Sequence, residues 1–227
     1  MATVPMKPTF VLLGGPRCSG KNYVADKLTA VTGWAQASFA DAVKEEAALK
    51  HGLDVARLKS TAAADRPYKE EHRAKLIELG NGRRAEDPMY WARRVFDTHC
   101  TPGAVYVLCD YRFPNEEKFL RECGANVLTV RVSASDETRR ARGWTPNPAV
   151  DNDISETALN DTIFDVIMPN DAHDVPELIL IIANAERIRA RRFYLEYSGT
   201  LTAAGADDAR VDNRVAGPLP LVKEPSQ

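Results

Sequence analysis

The chain has little of what marks a metal cluster, a disulfide scaffold, a membrane protein or a polynucleotide binder. Its four cysteines, Cys18, Cys100, Cys109 and Cys123, include no C-x-x-C pair, and its four histidines fall at no metal-ligand spacing. A reduced interior is expected, with Cys18 and Cys109 as small semi-buried residues rather than redox agents. No apolar run approaches the length of a membrane span, and the N-terminus lacks the apolar core of a signal peptide, so a cytoplasmic location without a membrane partner is expected. Thirty Lys and Arg against 32 Asp and Glu give a net charge of −2, without the broad positive face that a nucleic acid favours. No internal repeat is present. What remains is a chain of 227 residues, 44% hydrophobic, able to bury one good core with a lid or a tail in addition.

Within that ordinary background one segment stands out. Gly15-Pro16-Arg17-Cys18-Ser19-Gly20-Lys21 follows the apolar run Phe10–Leu13 and precedes a stretch in which Val24 and Leu28 share a helical face. Strand, G-x-x-x-x-G-K loop and helix together make a phosphate-binding loop. Its backbone N–H groups point inward, the helix N-terminus offers unpaired donors, and Lys21 adds a full positive charge near the terminal phosphates. A triphosphate, with ATP as the donor, is the expected ligand, held by Gly15, Arg17, Cys18, Ser19, Gly20, Lys21 and Asn22. Asn22 stands where this pattern usually has a Ser or Thr whose hydroxyl binds magnesium. An amide oxygen is a poorer ligand for that cation, so Mg2+ is expected on the phosphates, water and a carboxylate from elsewhere.

The rest of the chain alternates. A weak strand over 35–40 leads to a helix capped by Asp41 and reaching about His51. A helix from Pro67 ends at Gly80 or Gly82, and Asp87-Pro88 opens another with Trp91, Val95 and Phe96 on one face. Val105–Cys109 reads as a strand buried on both faces. Then come a helix from about Asn115, with Asn115 as cap and Glu116 as first-turn acid, a strand over Val127–Val132, a short helix over Asp136–Arg142 and a strand over Phe164–Met168. A long helix over Val175–Tyr194 closes the series. The alternation predicts an α/β fold with a doubly wound parallel sheet. The expected organisation is a kinase domain over 1–197, with acceptor-binding helices at about 41–100 and a lid at about 136–154, followed by a disordered tail over 198–227.

Several charged residues fit phosphoryl transfer between two anions. Asp110 ends the buried strand at the sheet edge where such folds place ligands, and there it can hold the metal or a metal-bound water; a turn-capping aspartate is the competing reading. Arg112, two residues on, offers a planar fork suited to phosphate oxygens. Arg139, Arg140 and Arg142 lie within four residues and cannot share one helix face. Arg139 and Arg142 are therefore expected on a lid that neutralises charge as it closes. Lys69 and Arg73, one helical turn apart, with Arg84 and the Arg83 beside it, form the candidate acceptor site, against the alternative of solvated helix charges. Trp91 can stack a base or pack in the core. No general base stands out, and none is needed if the acceptor is itself a phosphate, whose second pKa near about 6 leaves it ionised.

The loop Gly15–Asn22, the run Ser38-Phe39-Ala40-Asp41, the segment Asp110-Tyr111-Arg112-Phe113-Pro114-Asn115-Glu116, and Ser155–Leu159 before Phe164–Asp171 resemble the bacteriophage-type deoxynucleoside monophosphate kinases. The same order, with Arg139–Trp144, also resembles the animal-type phosphomevalonate kinases of the same P-loop nucleoside-monophosphate-kinase fold. The resemblance covers residues 9 to 190. It implies that Lys21 binds the donor phosphates, Arg112 and Arg84 the acceptor phosphate, and Arg139 and Arg142 the bridging charge. The phosphomevalonate kinases tend to have two arginines where this chain has Arg112-Phe113. Phe113 is therefore expected to wall a base, which places a nucleotide acceptor first and phosphomevalonate second. A nucleotide-binding module without turnover is the third reading.

Overall fold

The structure, a computed structural model, describes residues 6–60 and 62–171. The expected helix over 175–194 and the tail over 198–227 lie outside the described residues.

Five strands form one parallel sheet: β1 (Thr9–Gly14), β2 (Ala35–Ala37), β3 (Val105–Leu108), β4 (Asn126–Ser133) and β5 (Val166–Pro169), in the order β2-β3-β1-β4-β5. Every residue of β1 is buried, and its register runs Phe10 against Tyr106 on one side and Val127 on the other. Alternate side chains of the central strand serve two cores, as the period of two requires. Phe10 and Leu12 pack with Phe39, Leu79, Trp91, Tyr111 and Leu120, while Val11 and Leu13 pack with Val24, Leu28, Val130 and Met168. A sheet covered on both faces explains why β1 and β3 read as unbroken apolar runs.

Helix α1 (Lys21–Thr32) covers the second core. Helices α2 (Phe39–His51), α3 (Val55–Lys59), α4 (Arg66–Glu86), α5 (Tyr90–Thr98) and α6 (Pro114–Glu122) build the other side, and the short helices α7 (Asp136–Ala141), α8 (Pro148–Asp151) and α9 (Ile154–Thr157) follow β4.

Several boundaries differ from expectation. Ser38, not Asp41, caps α2: its Oγ accepts the Asp41 N–H at 3.3 Å, and the preceding strand stops at Ala37. Helix α4 does not end at Gly80 or Gly82 but runs through both to Glu86. Gly80 is buried there, with Val43 3.8 Å from where a Cβ would stand. Phe113 takes the cap position of α6, and the Asn115 side chain instead donates to the Pro88 carbonyl at 2.6 Å. The last strand begins at Val166. Asp165 turns its carboxylate back to accept from the Thr129 N–H (2.8 Å) and hydroxyl (2.9 Å).

The topology brings the C-terminal ends of β1, β3, β4 and β5 to one edge. The phosphate loop, Asp110, Arg112, the start of α7 and Asn170 all follow directly from those ends. Crevices at that edge are where open parallel sheets bind ligands.

Candidate active site

The loop between β1 and α1 has a backbone that demands its glycines. Gly15 has φ +135°, and a Cβ there would lie 2.1 Å from the Val132 carbonyl. At Gly20 (φ +98°) it would lie 2.2 Å from the Asn170 side chain. Cys18 adopts φ +60°, the one positive φ at a non-glycine among the described residues, so the loop is held against local preference.

Lys21 opens α1 and turns its Nζ back across the loop, donating to the carbonyls of Gly15 (2.7 Å) and Pro16 (3.0 Å). Burial, and then the Arg112 guanidinium, lower its pKa to about 8, with Glu156 opposing the shift. Ser19 is fully buried and its hydroxyl has no partner among the described residues. The same holds for the side-chain oxygen of Asn170, a residue 1% exposed whose Nδ2 donates to the Ser19 carbonyl at 2.8 Å. Two orphaned buried polar atoms at one loop are the mark of a site shaped for something polar. Asn22, on the first turn of α1, is exposed.

Arg139 and Arg142, expected on a lid, reach this loop from the C-terminal end of α7. Arg139 lies over the Trp144 ring, 3.8 Å from its centroid, and its Nε donates to the Arg17 carbonyl at 2.9 Å. Arg142 donates to the carbonyls of Ser19 (3.0 Å) and Asn170 (2.6 Å). Arg140, between them, points elsewhere and pairs with Asp136 at 3.8 Å. From α8, Asp151 accepts from Arg17 and from the Trp144 indole, both at 3.3 Å.

Past the end of β3, Arg112 pairs with Glu156 and donates to the Ser155 carbonyl at 3.2 Å. Asp110 is taken up differently from the metal role expected of it. Its carboxylate accepts from the Ser38 hydroxyl (2.8 Å) and the N–H groups of Ala40 (2.8 Å) and Phe39 (3.2 Å), which makes it the clamp on the N-terminus of α2. Burial nevertheless holds its pKa above the usual carboxylate range. No group of three or more His, Cys, Asp or Glu among the described residues is placed to hold a metal ion.

Of the expected acceptor residues, Lys69, Arg73 and Trp91 are engaged with other groups. Lys69 donates to the Ser60 carbonyl at 2.6 Å, and Arg73 makes an exposed pair with Glu70 at 3.4 Å. Trp91 is 2% exposed, with its indole N–H on the Gly80 carbonyl at 3.0 Å, so packing rather than base stacking accounts for it. Arg83 is anchored to Glu46 at 2.7 Å, whereas Arg84 lies over the Phe113 ring, 4.5 Å from its centroid.

Glu156, Asn170 and Asp151 carry this geometry without having been singled out beforehand. All three lie within segments already noted, but only their long-range partners, 44, 151 and 134 positions away, make them part of a site. Glu116 was expected to be an ordinary first-turn acid. It is 4% exposed, accepts from the N–H groups of Arg112 (3.0 Å) and Phe113 (3.1 Å), and burial raises its pKa to about 8.

Compared with known proteins, residues 13–126 match the sequence pattern of the phosphomevalonate kinase family. A phosphomevalonate kinase of Drosophila melanogaster is 32% identical over 190 residues, spanning 80% of this chain and 98% of the fly protein. Among solved structures, a gluconokinase from Sinorhizobium meliloti is 15% identical with a TM-score of 0.48, covering 83% of this chain and 97% of its own. A shikimate kinase from Aquifex aeolicus is 15% identical with a TM-score of 0.46, covering 80% and 98%.

Proposed function

This chain belongs to the phosphomevalonate kinase family and is a kinase; from that premise we propose that it transfers the γ-phosphoryl group of ATP to phosphomevalonate, giving diphosphomevalonate and ADP. The order expected from Phe113 is thereby reversed. One aromatic residue favoured a nucleotide acceptor, whereas the family match spans the phosphate loop and the whole acceptor-side helical region. The bacteriophage-type reading has no comparable support.

The observation that carries the proposal is the convergence of Lys21, Arg112 and the lid arginines at one strand edge around a loop with orphaned buried donors and acceptors. Loop N–H groups and Lys21 hold the β- and γ-phosphates of the donor. Lys21 and Arg142 now satisfy loop carbonyls, and both are free to turn to phosphate oxygens when the nucleotide enters. Arg112 carries the acceptor phosphate, with Glu156 fixing its guanidinium. The acceptor phosphate is its own nucleophile, so the protein's work is to bring two anions together and screen their repulsion. Magnesium travels with ATP as part of the substrate, since neither the exposed Asn22 nor the occupied Asp110 supplies a charged ligand.

Incubation with ATP, Mg2+ and phosphomevalonate, followed by mass spectrometry of the products, tests this. Diphosphomevalonate formed in proportion to ADP is the expected result. ADP without it, or no ADP with a protein that binds ATP, would return the chain to the nucleotide or non-catalytic readings.

A further inference from the structure

Arg84 is held differently from several arginines around it. Arg83 pairs with Glu46 and Glu86, Arg93 with Asp87, Arg112 with Glu156. Among the described residues no carboxylate pairs with Arg84, whose one polar side-chain contact is with Asn81 at a marginal 3.5 Å. What holds it is the face of Phe113, with the guanidinium carbon 4.5 Å from the ring centroid. A guanidinium laid on an aromatic ring is oriented by the ring while its edge N–H groups stay available to an anion.

The ring is itself fixed. Phe113 is the cap residue of α6, and Glu116 accepts from both its N–H and that of Arg112. One buried carboxylate therefore locks the backbone of Arg112 and of the residue that supports Arg84.

We infer that Phe113 is a positioning residue for the acceptor: its ring holds Arg84, from α4, so that it and the neighbouring Arg112 form a two-guanidinium clamp on the acceptor's phosphate. The inference rests on the reading that the acceptor carries a phosphate, and it assigns to Phe113 a role other than walling a base. A guanidinium oriented by a ring, rather than by a paired carboxylate, keeps its N–H edge for an anion brought to it.

The test is steady-state kinetics of the wild type, Phe113→Leu, Phe113→Tyr, Arg84→Ala and the Phe113→Leu/Arg84→Ala double variant, with phosphomevalonate and a panel of nucleoside monophosphates. On whichever acceptor the wild type uses, Phe113→Leu should raise the acceptor KM about five- to twentyfold, leave the KM for ATP within about twofold, and be reversed by Phe113→Tyr. The double variant should be no worse than Arg84→Ala, because the leucine acts only through Arg84. A Phe113→Leu enzyme with the wild-type acceptor KM, or additive losses in the double variant, overturns the inference. If nucleoside monophosphates react and phosphomevalonate does not, the functional reading falls while the clamp is still judged on the productive acceptor. If nothing reacts, binding of inorganic phosphate by calorimetry decides: weakening in Phe113→Leu but not in Phe113→Tyr supports the clamp, and equal affinities refute it.

Discussion

In the proposed reaction Lys21 is the residue on which the chemistry turns, and its surroundings make that measurable. Truncation to alanine removes the charge nearest the migrating phosphoryl group, and a loss of about 10² to 10³ in kcat is expected with the fold intact by circular dichroism. The lowered pKa adds a signature. Phosphates bind the protonated amine, so kcat/KM for ATP should fall as pH rises through about 8, where the free protein loses that proton. Lys21→Arg, which does not titrate in this range, should lack that fall. Glu116 gives stability a pH dependence of its own. Its folded pKa of about 8 lies above its unfolded value, so the folded protein holds the extra proton in between, and stability drops as pH climbs from about 4.5 toward about 8. Glu116→Gln keeps the oxygen that accepts from Arg112 and Phe113 and never ionises. Its urea midpoint should therefore change less between pH 5.5 and 8.5 than the wild type's, and an equal change would show that Glu116 is not the group responsible.

At the level of elements, α4 is the clearest correction and makes its own prediction. Two glycines within three residues read as a helix end, yet the helix continues because Leu79 is buried against the sheet and the Gly80 carbonyl receives the Trp91 indole. Gly82 lies in the helix interior with nothing within 4 Å of an added Cβ. Gly82→Ala should therefore stabilise the protein by about 0.5–1 kcal/mol in chemical unfolding; a loss would mean that α4 does break there. Ser38 and Asp110 show the same limit. The capping serine is visible in the sequence, but the carboxylate that accepts its hydroxyl lies 72 positions away, so local reading chose Asp41 as the cap. The split among the arginines was more legible, since three in four residues cannot share a face, and the structure turns Arg139 and Arg142 to the loop while Arg140 pairs with Asp136. Arg142→Ala should lower kcat about 10- to 100-fold with the KM for ATP changed less than threefold, because the lid acts once it has closed. Parallel losses would assign Arg142 to the resting loop, through its bonds to Ser19 and Asn170.

For the whole molecule, the parallel sheet and the phosphate loop were legible because each rests on contiguous residues: apolar runs for β1 and β3, and a fixed glycine and lysine spacing between β1 and α1. The acceptor side was not. The proposed acceptor side draws on α4, the end of β3 and α9, and its polar partners meet across long sequence separations, as Arg112 does with Glu156. Among the described residues no helix is long and apolar enough to cross a membrane. The choice of acceptor is the claim on which the account stands or falls, and it is tested most directly by comparing kcat/KM for phosphomevalonate with that for every nucleoside and deoxynucleoside monophosphate, at saturating ATP and Mg2+. The account predicts that phosphomevalonate exceeds every nucleotide by at least about 10²-fold, as expected when a site's buried polar groups are matched by one substrate and left unpaired by the others. A nucleotide turned over as fast as phosphomevalonate, or faster, would contradict it.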